Sequence, residues 1–171
     1  MDTIECINSK RSIRAYEETQ IPYETVMELL TLGTKASTGS NHQPWGFVVI
    51  QDAQEIEDLS KNIKAYLLEN LEKYPYLSQY EAWLQSEKYS IFNNASTLIV
   101  VYGNTDSHWY IYDCTLAAGN IMLAAYSKGI GTCWIGFAEY YFNTPEFKKK
   151  YKIPENYELV APLSCGYIKG T

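Results

Sequence analysis

Arginine is nearly missing from this 171-residue chain: Arg11 and Arg14 stand alone against twelve lysines. Histidine occurs twice, at His42 and His108, and the four cysteines, Cys6, Cys114, Cys133 and Cys165, are never closer than 19 residues. Such spacing offers no CxxC knuckle and argues against a structural zinc site. Scattered cysteines of this kind predict reduced, buried thiols, with a Cys–His–Asp catalytic set as the alternative use. A basic surplus is also lacking. The net charge is −6, so no nucleic-acid partner is expected, and Lys148-Lys149-Lys150 with nearby Lys152 reads as a solvated helix end. No apolar run reaches the roughly 18–20 residues of a membrane helix. The opening Met1-Asp2-Thr3-Ile4-Glu5 has early acids in place of a basic-then-apolar leader. These absences predict a soluble, unexported, cytoplasmic protein with no metal.

What is present suits one globular domain over residues 1–171. The apolar fraction of 46% can furnish a packed core. Ile4 and Ile7 mark a short opening helix over 2–9. Pro22 opens a second helix, carried by Val26, Leu29, Leu30 and Leu32 to about Lys35. Phe47 to Ile50 reads as a strand, residues 53–92 as mostly helical with a break at Pro75, and Leu98 to Tyr102 as a buried strand. From Ile111 to Lys128 the chain is apolar nearly all round, which predicts a helix buried on every side, with a second subunit as one means of covering it. Gly129 suits the C′ position of that helix. Ile130 to Phe137 reads as a strand, Pro145 opens a short helix, and Leu159 to Ile168 closes the chain as a strand. About four strands with long helical connections predict an α+β layered fold.

Three stretches carry candidate chemistry. In Lys10-Arg11-Ser12-Ile13-Arg14, both arginines lie three apart around a hydroxyl. A guanidinium grips phosphate or a carbonyl edge at two points, where an ammonium is a point charge. The segment is either a local anion site or a surface cluster paired with Glu17 and Glu18. Ser37 to Trp45 is a loop of short donors and acceptors; it can read the edge of a polar heterocycle, or it is a plain connection. Gly129-Ile130-Gly131-Thr132-Cys133-Trp134-Ile135-Gly136 follows a helix and opens a strand, the reverse of a dinucleotide-binding glycine loop. Gly129 and Gly131 read as a cap and a tight turn. Gly136, at a strand end, would let a flat ligand approach the backbone.

Taken in order, these stretches resemble the nitroreductase family of FMN-dependent oxidoreductases. Its members carry an Arg-Arg-Ser-x-Arg-like opening (here Lys10 to Arg14) and a Pro-Ser-x-x-Asn-x-Gln-Pro-Trp loop (here Ser37 to Trp45). They also carry an Ala-x-x-x-Gly-x-Gly-x-x-Trp-Ile-Gly run (here Ala125 to Gly136) and a Gly-Tyr-x-Lys ending (here Gly166 to Lys169). The resemblance implies a three-layer α-β-α sandwich around a mostly antiparallel sheet, in a domain-interlocked homodimer with FMN at the subunit interface. It implies that Lys10, Arg11 and Ser12 serve the phosphate and ribityl end and Arg14 the pyrimidine edge, where it would stabilise the reduced flavin. Thr38 and Asn41 would come from the partner subunit, with Gln43 near the flavin. Trp134, Ile135 and Gly136 would line the ring, and Lys169 would help the phosphate. The implied activity is a ping-pong reduction of nitroaromatic, quinone or similar small acceptors by NAD(P)H. No side-chain acid or base is required, in keeping with the lack of a triad or carboxylate pair.

The chain departs from the pattern in places. The loop's usual Pro-Ser is Ser37-Thr38, and Lys169 is the basic residue left for the phosphate, which implies weaker FMN binding. The tyrosine-rich stretch 66–92 matches no motif and is assigned to the substrate mouth. A non-catalytic FMN-binding or storage protein, a flavin-modifying or dehalogenating relative, and a plain interaction domain are the competing readings. Both arginines are assigned to FMN, which leaves no guanidinium for the extra phosphate of NADPH and leans the reductant toward NADH.

Overall fold

A computed structural model of the chain describes residues 1–170. It contains seven α-helices and four strands among the described residues. Helix α1 (Thr3–Ser9) begins where the Asp2 carboxylate accepts from the Glu5 N–H at 2.9 Å, one of the orphan donors every helix start exposes. Helix α2 (Tyr23–Gly33) follows Pro22 and buries Val26, Leu29 and Leu30. After β1 (Trp45–Ile50), Asp52 caps α3 (Ala53–Glu69), whose Ile56, Leu59, Ile63 and Leu67 form one buried stripe. A 3-10 turn (Pro75–Tyr80) leads into the short α4 (Glu81–Gln85). Then come β2 (Thr97–Asn104), α5 (Tyr110–Ser127) and β3 (Ile130–Trp134). A 3-10 turn (Gly136–Ala138), α6 (Glu139–Phe142), α7 (Pro145–Lys150) and β4 (Tyr157–Tyr167) complete the chain.

The sheet has the order β1-β2-β4-β3, and each neighbouring pair is antiparallel. Strand β2 is central and buried on both faces, so it reads as a continuous apolar run yet sorts its side chains by twos. Leu98, Val100 and Tyr102 pack with α3, α4, α6 and α7. Ile99 and Val101 face the opposite way, against α2 and α5. Helices thus cover both faces of an antiparallel sheet, the three-layer α+β sandwich expected. Burial of each such aliphatic side chain contributes about 2 kcal/mol.

Several expectations are corrected. Strand β3 ends at Trp134, not Phe137: Ile135 still donates to Pro162 O at 2.8 Å, but the backbone then closes a 3-10 turn in which Ala138 N–H donates to Ile135 O at 3.1 Å. The 53–92 stretch is mostly helical as read, but α3 already ends at Glu69, Pro75 opens a 3-10 turn, and α4 covers only Glu81–Gln85; Tyr66 and Tyr74 pack on α6. Helix α5 is not covered on every side in a single chain: Ile111, Tyr112 and Leu116 are at least half exposed. Gly129 does take the left-handed C′ conformation, at φ 74°. Gly131 is no turn but an extended residue inside β3.

Candidate functional site

The Lys10–Tyr16 segment lies along the outer edge of β3. Ile13 N–H donates to Thr132 O at 3.0 Å, Ser12 bridges Thr132 in parallel, and Tyr16 bridges Ile168 antiparallel. Two glycines make this close approach possible. Gly131 and Gly166 are register partners across β3 and β4. A Cβ on Gly131 would lie 2.6 Å from that of Ile13, and one on Gly166 would lie 2.8 Å from the Tyr16 ring. The pair forms a trough that seats Ile13 and Tyr16. The Tyr16 hydroxyl donates to Ile13 O at 2.6 Å and lies 3.0 Å from Ser164 Oγ. Burial pushes this phenol well above its ordinary range, so it stays a neutral strut.

Between these anchors Arg14 stays exposed, with neither a hydrogen bond nor an ion pair to any described residue. The alternative pairing with Glu17 and Glu18 is therefore not formed. Arg11 is exposed too, but its guanidinium folds back to donate to Asn8 O at 2.7 Å and Lys10 O at 2.8 Å. Those carbonyls end α1, where the helix dipole favours a cation; most of the five guanidinium donors remain unspent. Lys10 is half-buried and Ser12 exposed on the same segment. Lys169 N–H donates to Ala15 O at 3.1 Å, which brings that lysine beside Arg14 in the chain path.

Arg14 borders a cleft of about 360 Å³. Cys133, Trp134, Ile135 and Gly136 form one side of it, and Tyr76, Tyr80, Trp83, Tyr89 and Phe137 supply aromatic walls. Burial pushes the Cys133 thiol up, with the Arg14 and Lys10 charges opposing; burial also raises the Tyr89 phenol against Arg14. The cleft therefore presents protonated thiol and phenol groups at neutral pH. At Gly136, a Cβ would meet nothing within 4 Å, so the backbone is open to a flat ligand.

The tyrosine-rich stretch is structured around this cleft. Lys64 of α3, 9% exposed, donates to Ser86 O at 2.9 Å and Tyr89 O at 2.8 Å. Ser60 Oγ accepts from Ile91 N–H at 2.9 Å. These bonds fix the segment that presents Tyr89 to the cleft. Tyr74 stacks on Tyr140 with centroids 3.8 Å apart, and Tyr80 meets Phe137 edge-on. Sequence reasoning missed Asn93, Phe137 and Glu139, which also line the cleft. The one available signal was the adjacency of Phe137 and Glu139 to Gly136.

The Thr38–Gln43 loop lies elsewhere. Ser40, Asn41 and Gln43 hold φ of 50°, 57° and 50°, conformations side chains seldom adopt without support. Support comes from Gln43 Nε2 donating to Asn41 Oδ1 at 2.8 Å and from the buried Asp113 of α5, which accepts from Gly39 N–H at 3.0 Å. Asp113 is another residue the sequence did not flag. The loop enters β1, and the basic segment flanks β3, so the two stand at opposite edges of the four-stranded sheet. Strand spacing puts those edge strands roughly 14 Å apart. None of Thr38, Asn41 and Gln43 reaches the Arg14 cleft within one chain.

No described group of His, Cys, Asp and Glu could hold a metal, and no described helix is long and apolar enough to cross a membrane. All four cysteines are free and buried, as expected.

An aromatic cleft in an α+β sandwich, with one unpaired arginine and an open glycine at its wall, has the shape and charge that suit a flat, polar ligand. The sequence pattern of the Nitroreductase family matches residues 7–167, and the chain belongs to that family. A protein of Archaeoglobus fulgidus, provisionally named NADH dehydrogenase/NAD(P)H nitroreductase, is 29% identical over 98% of this chain and 86% of its own length. The crystal structure of a Bacteroides fragilis nitroreductase with bound FMN superposes with a TM-score of 0.86 at 28% identity, covering 99% of this chain and 89% of that one. A Desulfitobacterium hafniense nitroreductase, 23% identical, shares the fold at a TM-score of 0.81, over 100% of this chain and 92% of that one.

Proposed function

We propose that this chain is a cytoplasmic FMN-dependent oxidoreductase that uses NAD(P)H to reduce nitroaromatic, quinone or similar small acceptors. The observation that carries the reading is Arg14: the one cation on an aromatic cleft, unpaired, beside a glycine whose Cα faces open space. These residues fit a flavin, which needs a flat slot, a cation at its pyrimidine edge and donors for its phosphate. Lys10, Arg11, Ser12 and Lys169 offer the phosphate donors, and Trp134, Ile135 and Gly136 the slot. Bound FMN supplies the electron-transfer chemistry between the reduced nicotinamide and the acceptor.

The protein's part is position and electrostatics. Arg14 would stabilise negative charge at the pyrimidine edge, held there because Ile13 and Tyr16 are locked in the glycine trough. The aromatic walls would receive donor and acceptor in turn, in a ping-pong order. Thr38, Asn41 and Gln43 would complete the site from a second subunit. Two features support that assembly: the loop and the basic segment sit at opposite sheet edges, and α5 exposes Ile111, Tyr112 and Leu116. The four free cysteines favour a reducing compartment.

Purified protein incubated with FMN and freed of excess should retain yellow flavin absorbance, released on denaturation. NADH or NADPH should bleach it, and a nitroaromatic or quinone should restore it. A colourless preparation that takes up no FMN overturns the reading; flavin that is bound but never bleached leaves a carrier, not an enzyme.

A further inference from the structure

The cleft is electrically polarised. Arg14 and Glu139 are its only lining residues with a formal charge at neutral pH. They act on different neighbours. Arg14 follows Ile13, whose N–H bonds to Thr132 O next to Cys133, and its charge bears on Cys133 and Tyr89; Glu139 precedes Tyr140, which stacks on Tyr74 just before the turn that carries Tyr76, and its charge bears on Tyr76. One pole is therefore Arg14 with Tyr89 and Cys133. The other is Glu139 with Tyr76, and Tyr80 lies near that phenol too. At this second pole Tyr76 is about half exposed, at 51%, and Trp83, at 57%, lies between the poles with its ring 5.7 Å from Tyr80 and 5.9 Å from Tyr89. Large aromatic faces left bare around one carboxylate suit a flat ring that carries no negative charge.

We propose that the Tyr76–Glu139 pole is the acceptor subsite, and that Glu139 selects neutral or cationic aromatic acceptors over anionic ones. The inference rests on the reading above, in which the flavin occupies the Arg14 pole. With Arg14 committed there, no cation is left on the lining to receive an acceptor's carboxylate or sulfonate. An anionic ring entering the aromatic walls would meet Glu139 unscreened by any partner, since Glu139 forms no ion pair with a described residue. A ring bearing an amine, a hydroxyl or a quaternary ammonium gains a carboxylate instead. Because Glu139 is exposed, the discrimination is modest, about two- to fivefold for each charge step at low ionic strength, and salt shrinks it.

The test uses three acceptors of one shape: nitrobenzene, 4-nitrobenzoate and 4-nitrophenyl-trimethylammonium. On the FMN-loaded protein at low salt, kcat/KM should fall in the order cation, neutral, anion. Glu139→Gln should compress the series to within about twofold. A second arm needs no turnover. Quenching of tryptophan fluorescence by benzoate and by phenyltrimethylammonium should show tighter binding of the cation, and Glu139→Gln should remove the difference. Equal handling of anion and cation by the unaltered protein overturns the proposal, as does an unchanged spread in Glu139→Gln. If FMN does not bind, the proposed function fails by itself; if FMN binds and both arms, run on the loaded protein, show no charge order, this proposal alone fails.

Discussion

Gly131 and Ile13 compete for the same space: a Cβ on the glycine would lie 2.6 Å from the Cβ of the isoleucine. The basic segment rests on β3 only because that position has no side chain. Gly131→Ala must displace Ile13, and with it Arg14. The expected outcome is at least a tenfold loss of FMN affinity, measured by flavin titration, with the fold retained by circular dichroism. Unchanged affinity would show that the segment adapts without moving Arg14.

Arg14 makes no internal hydrogen bond or ion pair among described residues, so its loss removes nothing that holds the chain together. Arg14→Ala should leave the thermal midpoint within a few degrees while weakening FMN binding or its reduction about 10- to 100-fold. Arg14→Lys should recover part of that, since an ammonium replaces the charge but not the planar fork. Lys148→Ala, on α7 away from the cleft, should change neither. Equal effects of Arg14→Ala and Lys148→Ala would argue against the assigned site.

Lys64 spends its ammonium on two backbone carbonyls, Ser86 O and Tyr89 O. Lys64→Met keeps the aliphatic stem and strands both acceptors. Leaving a buried acceptor unpaired costs about 1–3 kcal/mol, so a loss of roughly 2 kcal/mol or more is expected in urea unfolding. The acceptor KM should also rise, because Tyr89 borders the cleft. A variant as stable as the parent would mean that water replaces the ammonium.

The alkaline limb of stability should be steep. Burial pushes the thiols of Cys114 and Cys165 up to about 12, from an ordinary value of 9.0. Above pH 9.0 the unfolded chain releases these protons and the folded chain retains them. Their contribution is thus fully present below pH 9.0 and lost as pH rises toward about 12. Each thiol adds a slope of up to about 1.4 kcal/mol per pH unit. Urea midpoints at pH 7, 9 and 10.5 should be flat over the first interval and fall over the second, and Cys114→Ala should flatten the fall.

Leu116 is 52% exposed near the middle of α5, beside Tyr112 at 65%. If that face packs on a second chain, Leu116→Lys should convert a dimer into a monomer in light scattering, and the flavin should leave with it. A variant that stays dimeric and yellow would place the interface elsewhere.

Much of the fold was legible because its signals are local. The spacing of Ile4 and Ile7 in α1, the apolar stripe of α2, the run of β2 and the left-handed Gly129 each depend on a few neighbours. The length of β3 was misjudged, since the 3-10 turn over Gly136–Ala138 takes the chain off the sheet before Phe137. The tyrosine-rich stretch was legible only as a weakened helical pattern after Pro75, because its rings answer to α6 and to the cleft. Gly131 was taken for a turn, since nothing nearby in sequence announces that Ile13 needs its space.

The sequence by itself determined the types of group available: two arginines in the whole chain, placed around Ser12; a polar loop ending in Pro44-Trp45; and Gly136 next to Trp134 and Ile135. Only the tertiary structure decided how they are used. It turned Arg11 onto its own helix end and left Arg14 unpaired. It placed Tyr89 by means of the buried Lys64 and brought Glu139 and Arg14 into the lining of one cleft. It also put the Thr38–Gln43 loop at the far edge of the sheet. The physical reason is range. Capping and periodicity act over a few residues, whereas charge pairing, steric exclusion at a glycine and strand order act between segments that meet only when the chain is folded.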